Sequence, residues 1–215
     1  MSFTDARELN VLNAEYGATA FTTDATKYAG LFTTAPNDAG SGGVEVTGGS
    51  YARPAVTNNG TNFPAANPKV NATAVTFAQA TADWGLVKAM GWFDALTVGN
   101  LRSWAWLCDN IIRMAVGLNT GDIIHAPGHA FANDTKVIVW APQGVTLPAG
   151  LSAGQEYYVI NAVAEQNLQV SLTLGGAAVT ITADGGLVIA RSRFTSVMNG
   201  DTPSFAASGF SHELD

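Results

Sequence analysis

The chain has 215 residues, of which only 13% are charged, and a formal net charge of −7 at pH 7. Its ten Lys and Arg residues are scattered, so no basic stripe can follow a nucleic-acid backbone and nucleic-acid binding is not expected. No run of about 18 apolar residues is present, and the N-terminus has no signal-peptide core. We therefore expect a protein that is made in the cytoplasm and binds no membrane.

The composition favours a subunit that is buried against neighbours. Ala, Thr, Gly, Asn and Ser replace the missing charges, while 47% of the residues are hydrophobic. A polar but nearly uncharged surface suits an assembly, because the cores of interfaces are depleted of charge. The alternative is an ordinary β protein of low charge. Cys108 is the only cysteine, which excludes an internal disulfide and a multi-cysteine metal site.

The first predicted element is a short helix near the N-terminus. Thr4 is a suitable N-cap, and Asp5 and Glu8 fall in the first turn, where the helix dipole favours anions. Gly17 is predicted to end the helix in a left-handed conformation.

An apolar stripe on this helix is a candidate interface. Leu9, Leu12 and Tyr16 recur at helical spacing and share one face. The stripe either packs on the β-domain of its own chain or docks on a neighbouring subunit, and the sequence leaves both possibilities open.

After the helix, the sequence predicts short strands separated by turn clusters. A tight hairpin turn is expected at Gly48-Gly49, and Asn59-Gly60 is a further turn signal. Short strands with such turns are typical of an antiparallel sandwich or barrel. The predicted strands are 27–33, 44–46, 51–56, 73–77, 85–93 and 101–107.

The segment 110–190 has a different texture, with alternating apolar and polar residues. Strands are predicted at 169–174 and 179–182, each with one buried face.

The stretch from Tyr51 to Trp106 carries a family resemblance. It resembles small β-rich structural proteins of tailed bacteriophages and prophages, often labelled tail-fibre or virion proteins. The motifs are Tyr51-Ala52-Arg53-Pro54-Ala55-Val56, Asn71-Ala72-Thr73-Ala74-Val75-Thr76-Phe77, Thr81-Ala82-Asp83-Trp84-Gly85, Gly91-Trp92-Phe93-Asp94-Ala95 and Gly99-Asn100-Leu101.

The later sequence resembles a small β-module that is inserted into phage structural proteins. It contains an Ala-Pro-Gly-His turn at 126–129, a Gly-x-x-Tyr-Tyr-Val strand at 154–159 and a Gly-Gly-Ala-Ala-Val hairpin at 175–179. The closing residues from Asn199 onward resemble the last strands of the phage family. The resemblance thus implies a discontinuous, sandwich or jelly-roll-like host domain, 1–110 plus 192–215, with an inserted β-barrel-like module at 111–191.

One grouping resembles a metal site. His125 and His129 lie four residues apart with Asp122 nearby, but Pro127-Gly128 breaks any helix between them. We therefore expect a turn with polar flanks and no bound metal.

Catalytic and cofactor sites are not expected either. Ser211-His212-Glu213 lies at the chain end without a nucleophile elbow, and Gly40-Ser41-Gly42-Gly43 lacks the Lys of a phosphate loop. Asp83 and Asp94 could form a glycosidase pair, but their positions beside tryptophans in turns favour turn chemistry.

Trp104 and Trp106 complete the candidate interface. Their spacing of two places them on one face of a strand. Such residues usually fill a core or anchor a subunit contact, and a sugar-binding face is the alternative.

The resemblance implies a non-enzymatic structural protein of a tailed-phage virion. Among particle roles we expect a capsid decoration or cement protein, a homotrimer that binds across neighbouring capsomers of the major capsid protein. The alternative is a tail-fibre or tail-tip protein that contacts the host receptor. A carbohydrate-active enzyme is a remote alternative, which would need two carboxylates about 5–9.5 Å apart.

Overall fold

A computed structural model describes residues 2–66 and 68–212. The chain divides into two compact units. We call Met1–Leu107 with Phe194–Asp215 the sheet unit, and Cys108–Arg193 the barrel unit. The predicted fold class is confirmed, since the protein is mainly β with one short helix and a small closed barrel. That the barrel unit is an insertion into a host domain stays a prediction.

The described residues form one helix and eighteen strands, most of them short. In chain order they are β1 (Ser2–Phe3), α1 (Asp5–Tyr16), β2 (Thr26–Thr34), β3 (Val44–Glu45), β4 (Ala55–Thr57), β5 (Lys69–Val70), β6 (Val75–Thr76), β7 (Gly85–Val87), β8 (Ala89–Phe93), β9 (Leu101–Trp106), β10 (Cys108–Leu118), β11 (Ile123–His125), β12 (Lys136–Trp140), β13 (Glu156–Val163), β14 (Asn167–Ser171), β15 (Gly185–Ser192), β16 (Thr195–Val197), β17 (Ser204–Phe205) and β18 (Ser211–His212).

A six-stranded antiparallel sheet is the centre of the sheet unit. Its order is β1-β9-β8-β2-β3, with β4 also paired to β2. The hairpin predicted at Gly48-Gly49 is wrong, because β3 and β4 both pair with β2 and not with each other. The physical reason is Tyr51, whose hydroxyl accepts a hydrogen bond from the Leu31 N–H at 2.8 Å. Leu31 lies between the β2 residues that pair with β3 and those that pair with β4, so Tyr51 satisfies a backbone group that neither strand pairs.

The C-terminal segment of the sheet unit closes one face of that sheet. It runs antiparallel to residues 69–87 in three short ladders, β16 with β7, β17 with β6 and β18 with β5. The buried Asn71 connects the two segments. Its side-chain amide donates to Ala206 O at 2.8 Å and its side-chain oxygen accepts from the Phe210 N–H at 2.8 Å. Because these partners are more than 130 residues away along the sequence, no local sequence pattern predicts the contact.

The main core of the sheet unit lies between the sheet and these ladders. It is rich in aromatic rings that meet edge to face, an arrangement that adds to the burial energy. Trp84 and Trp92, each 5% exposed, belong to this core. The buried members are Ala29, Leu31, Val46, Val75, Phe77, Ala80, Trp84, Val87, Met90, Trp92, Val197 and Phe210.

The barrel unit is a closed barrel of six antiparallel strands in the order β10-β11-β14-β13-β12-β15. The predicted strand at 179–182 is wrong. Its backbone groups bond to separate partners, with the Val179 N–H donating to Val170 O and the Ile181 N–H to the Asp122 carboxylate. A continuous ladder is therefore replaced by isolated bonds, although Ile181 still faces the barrel core.

The helix forms as predicted, but both of its ends differ from the expectation. The Thr4 hydroxyl makes no cap bond and instead donates to Leu101 O at 3.1 Å, which joins the helix start to β9. Gly17 has a φ of −108°, and Ala18 takes the left-handed conformation with a φ of 54°. The close approach of Asn13 O explains the glycine, since a Cβ at position 17 would lie 2.7 Å from that oxygen.

A buried arginine organises the sheet unit around the start of the β8–β9 connection. Arg53 is 7% exposed and binds Glu45 through two bonds, Nε to Oε1 at 2.7 Å and Nη2 to Oε2 at 2.6 Å. Its guanidinium carbon lies 3.3 Å from the Phe93 ring centroid, a cation–π contact. The remaining nitrogen, Nη1, donates to the carbonyls of Ala95 and Val98, both at 2.8 Å.

A second charged group lies at the other side of the same connection. Arg102 bridges two carboxylates, contacting Asp24 at 3.0 Å and Asp94 at 2.9 Å. Burial alone would raise the pKa of Asp94, but hydrogen bonds from Asn100 and the charge of Arg102 outweigh it, so the pKa lies below its usual value. The pKa of Asp24 is lowered in the same way, with burial opposed by Lys27 and Arg102.

Replacing Arg53 with methionine should destabilise the sheet unit by about 3 kcal/mol, because a largely buried carboxylate loses its partner. Urea unfolding followed by tryptophan fluorescence measures this, since four of the five tryptophans lie in the sheet unit. As a control, Lys69→Met at an exposed position of the same unit should cost less than about 0.5 kcal/mol. Equal losses in the two variants would contradict the importance of the Arg53–Glu45 pair.

Acid should weaken the sheet unit through Asp24 and Asp94. Because folding lowers both pKa values, their stabilisation is complete above the unfolded-state pKa of about 4 and is lost as the pH falls through the folded-state values. Asp94→Asn should lower the free energy of unfolding at pH 7 by about 1 kcal/mol and should differ less from wild type below pH 3. Urea unfolding from pH 2.5 to 7 tests this, and a difference that does not depend on pH would contradict it.

Deleting residues 108–193 and joining Leu107 to Phe194 should leave a folded sheet unit. The chain enters and leaves the barrel on neighbouring strands, where Cys108 pairs with Ser192, so the ends to be joined are close together. We expect a β-type circular dichroism spectrum and cooperative thermal unfolding. An unfolded product would contradict the prediction of a host domain with an insertion.

Candidate interface surfaces

The N-terminal helix has two faces of opposite character. Arg7, Val11 and Ala14 form the inner face, with Arg7 buried and the other two partly buried. The predicted stripe of Leu9, Leu12 and Tyr16 forms the outer face, where these side chains are 56%, 54% and 84% exposed. Of the two possibilities left open by the sequence, packing on the chain's own β-domain is therefore wrong. The stripe is available for a neighbouring molecule.

Arg7 explains why the helix sits with this face inward. Its guanidinium carbon lies 4.3 Å from the Phe21 ring centroid, and its Nη1 donates to Thr22 O at 3.4 Å. Burial lowers the pKa of Arg7 below its usual value, and the nearby Asp24 opposes this effect. The backbone also holds the helix start, since the Asp5 N–H donates to Asp38 O at 2.9 Å. The helix therefore buries a charged residue, Arg7, and exposes its apolar stripe, which is the reverse of the usual amphipathic arrangement.

Trp104 and Trp106 share one face of β9, as their spacing predicts. They pack against Phe32 and Phe93 on the face of the sheet opposite the main core, and both are partly buried. Their rings meet edge to face with centroids 5.6 Å apart. The indole Nε1 of Trp104 is buried and has no hydrogen-bond partner among the described residues. The two tryptophans therefore offer less free apolar surface to a partner than Leu9, Leu12 and Tyr16 do, because part of their surface is already covered.

The connection between β8 and β9 presents apolar residues that the sequence analysis missed. Leu96 is 52% exposed and Val98 is 87% exposed. The sequence did contain a signal for this exposed loop. Asp94 and Gly99-Asn100 are turn residues, and the apolar Leu96 and Val98 lie between them.

The residues of the metal-like grouping each have separate partners. The His125 Nδ1 lies 2.8 Å from Asn167 Oδ1, while His129 is fully buried with its Nε2 2.9 Å from Val163 O. The Phe131 N–H donates to the His129 Nδ1, so the Nε2 carries the ring proton. Across residues 2–66 and 68–212, no three His, Cys, Asp or Glu side chains are placed to hold a metal ion.

The carboxylates considered for catalysis serve loop structure. Asp83 accepts from the Asn199 N–H at 2.8 Å, and Asp94 accepts from the Asn100 N–H at 2.6 Å. Asp94 also lines a shallow open depression of about 560 Å³ together with Asp24. Of the Ser211-His212-Glu213 motif, Glu213 lies outside the described residues.

Cys108 and the basic residues Arg191 and Arg193 lie in the barrel unit. Burial raises the pKa of the Cys108 thiol to about 11, which makes it a poor nucleophile at neutral pH. Asp109 pairs with both Arg191 and Arg193 at 2.6 Å, so the densest basic pair of the sequence is partly neutralised. No helix in the described part of the chain is long and apolar enough to span a membrane.

The family comparison joins this architecture to phage fibres. A family model described as "Podophage GP4 fiber I protein gp80" matches residues 2–128. The match includes β1–β9 of the sheet unit and extends over β10 and β11 of the barrel unit. No curated protein matches the sequence significantly. Because the matched segment is more than half of the 215 residues, the chain belongs to the podophage GP4 fiber I protein gp80 family.

Proposed function

We propose that this phage structural protein is a tail-fibre or tail-tip subunit that acts by assembly and without catalysis. The family match over residues 2–128 carries the proposal, because the family is described by a fibre protein. That description favours the fibre interpretation over the expected capsid decoration role, for which no comparable observation speaks. A mainly β fold with few charges fits a subunit that is packed into a particle.

The outer helix face is the attachment surface in this proposal. The side chains of Leu9, Leu12 and Tyr16 form a contiguous, exposed apolar stripe on the helix. The inner face of the same helix packs on the rest of the sheet unit through the buried Arg7. Exposed apolar stripes of this kind are typical of contacts between proteins. Asp5, Glu8 and Glu15 are exposed around the stripe, so the partner surface should be apolar at its centre and free of acidic side chains at its rim.

The partners follow from this surface. We expect other virion proteins and further copies of this chain, the latter in a closed homotrimer. With these partners, the protein would be located in the virion. Contact with a host receptor and contact with the major capsid protein are separate outcomes that binding measurements distinguish.

Cosedimentation with purified phage particles should show saturable binding to tails that lack this protein and no saturable binding to capsids. Leu12→Asp should weaken tail binding at least 10-fold, because burying one leucine is worth about 1.5–3 kcal/mol. Leu172→Asp is the matched control, since Leu172 is 59% exposed but lies in the barrel unit.

Saturable binding to capsids at a fixed ratio per capsomer would replace the fibre role with decoration. Binding to tails that Leu12→Asp and Leu172→Asp weaken equally would keep the fibre role and remove the helix as its attachment surface.

A further inference from the structure

Two Asn-Gly pairs lie in turns of the sheet unit, Asn59-Gly60 and Asn199-Gly200. An asparagine side chain that precedes glycine can react with the backbone, because the missing Cβ leaves the glycine nitrogen open to the side-chain carbonyl carbon. Asparagine is for this reason among the thermolabile residues of proteins. Both pairs are exposed to solvent, so exposure alone does not distinguish them.

The fold restrains the reacting nitrogen of the second pair. The Gly200 N–H donates to Ala80 O at 2.8 Å, and the Gly200 carbonyl accepts from Gln79 Nε2 at 2.8 Å. The Asn199 N–H donates to the Asp83 carboxylate at 2.8 Å. The Gly200 nitrogen must therefore leave a backbone hydrogen bond before it can lose its proton, which requires local opening of the turn.

The reacting nitrogen of the first pair has no such restraint. The Gly60 N–H is exposed and has no hydrogen-bond acceptor within residues 2–66 and 68–212. Apart from the chain neighbours of Gly60, nothing lies within 4 Å of the position that a Cβ would take there. The Gly60 nitrogen can therefore give up its proton without any opening of the fold.

The Asn59 side chain is held toward the same nitrogen. Its Oδ1 accepts from the Thr61 N–H at 3.1 Å and from the Asn62 N–H at 2.9 Å. Because this oxygen binds the two residues that follow Gly60, the carbon that carries it is directed toward the Gly60 peptide. When a nucleophile adds to that carbon, negative charge develops on Oδ1, where the two N–H groups stabilise it as an oxyanion hole does.

We propose that Asn59 is a site of spontaneous deamidation in the folded protein. The Gly60 nitrogen loses its proton and bonds to the Asn59 Cγ, while the Cγ–Nδ2 bond breaks and the side-chain amide group leaves with a proton as ammonia. Water then adds to either carbonyl of the resulting succinimide and opens the ring to aspartate or isoaspartate. Water is the only co-reactant, and the product carries a new negative charge. This inference concerns the chain alone and goes beyond the fibre role.

The two products should affect the sheet unit differently. An aspartate at position 59 keeps an oxygen for the Thr61 and Asn62 N–H groups, so the turn is retained. An isoaspartate adds a methylene group to the backbone and displaces the carbonyl that accepts from the Phe63 N–H at 2.9 Å. Phe63 packs edge to face on the buried Trp92, with ring centroids 5.8 Å apart. The isoaspartate form should therefore unfold at a lower temperature than the aspartate form.

Peptide mapping by mass spectrometry tests the proposal on the full chain, sampled over time in mildly alkaline buffer. Relative to the urea-unfolded chain, folding should slow conversion at Asn199 about 10-fold or more, because a hydrogen bond must open first. Folding should slow conversion at Asn59 by less than about 3-fold. Asn59 should therefore be the faster site in the folded protein, while the two rates converge in urea.

Gly60→Ala is the matched variant at the reacting nitrogen. The added methyl group hinders the attack but points into open space, so the fold stays intact. Conversion at Asn59 should become about 10-fold slower, and conversion at Asn199 should not change. Asn59→Asp should unfold at the wild-type temperature. Equal slowing of the two sites on folding, or an unchanged Asn59 rate in Gly60→Ala, would overturn the proposal, and neither result bears on binding to phage tails.

Discussion

The sheet unit depends on one buried cation. Arg53 is removed from water and donates hydrogen bonds to the Glu45 carboxylate and two backbone carbonyls, while its guanidinium makes a cation–π contact with the Phe93 ring. A buried charge is tolerated only when its donors are satisfied in this way. Because its partners come from β3, β8 and the β8–β9 connection, a single side chain fixes the relative positions of segments that are far apart in sequence.

The two ends of the sheet unit are also joined by long-range contacts. The C-terminal ladders cover the main core, and the buried Asn71 binds backbone groups near their end. The chain enters the barrel unit at Cys108 and leaves it near Ser192, and these two residues pair on neighbouring strands. A compact excursion between two adjacent points requires no rearrangement of the strands on either side, which is the usual condition for inserting one unit into another.

The proposed function rests on surfaces and not on a reactive centre. The aspartates and histidines that suggested chemistry in the sequence are occupied by backbone and amide partners, as Asp83, Asp94 and His129 each illustrate. Among the described residues of the sheet unit, the two most exposed large apolar side chains are those of Tyr16 and Val98, and both lie on elements that buried arginines hold in place. Together with membership of a phage fibre family, this arrangement favours an assembly role in which rigid elements present apolar contacts.

The sequence by itself determined the mainly β class, the N-terminal helix, the change of texture from residue 110 onward and the kinship with phage structural proteins. These features depend on local periodicity, turn residues and motifs, which neighbouring residues specify. Only the tertiary structure decided that Arg7 turns the helix so that Leu9, Leu12 and Tyr16 face outward. It also decided that β3 and β4 pair with β2, and that Arg53 shapes the loop around Val98. Such outcomes depend on which distant groups satisfy a buried charge or hydrogen bond, and periodicity contains no information about those partners.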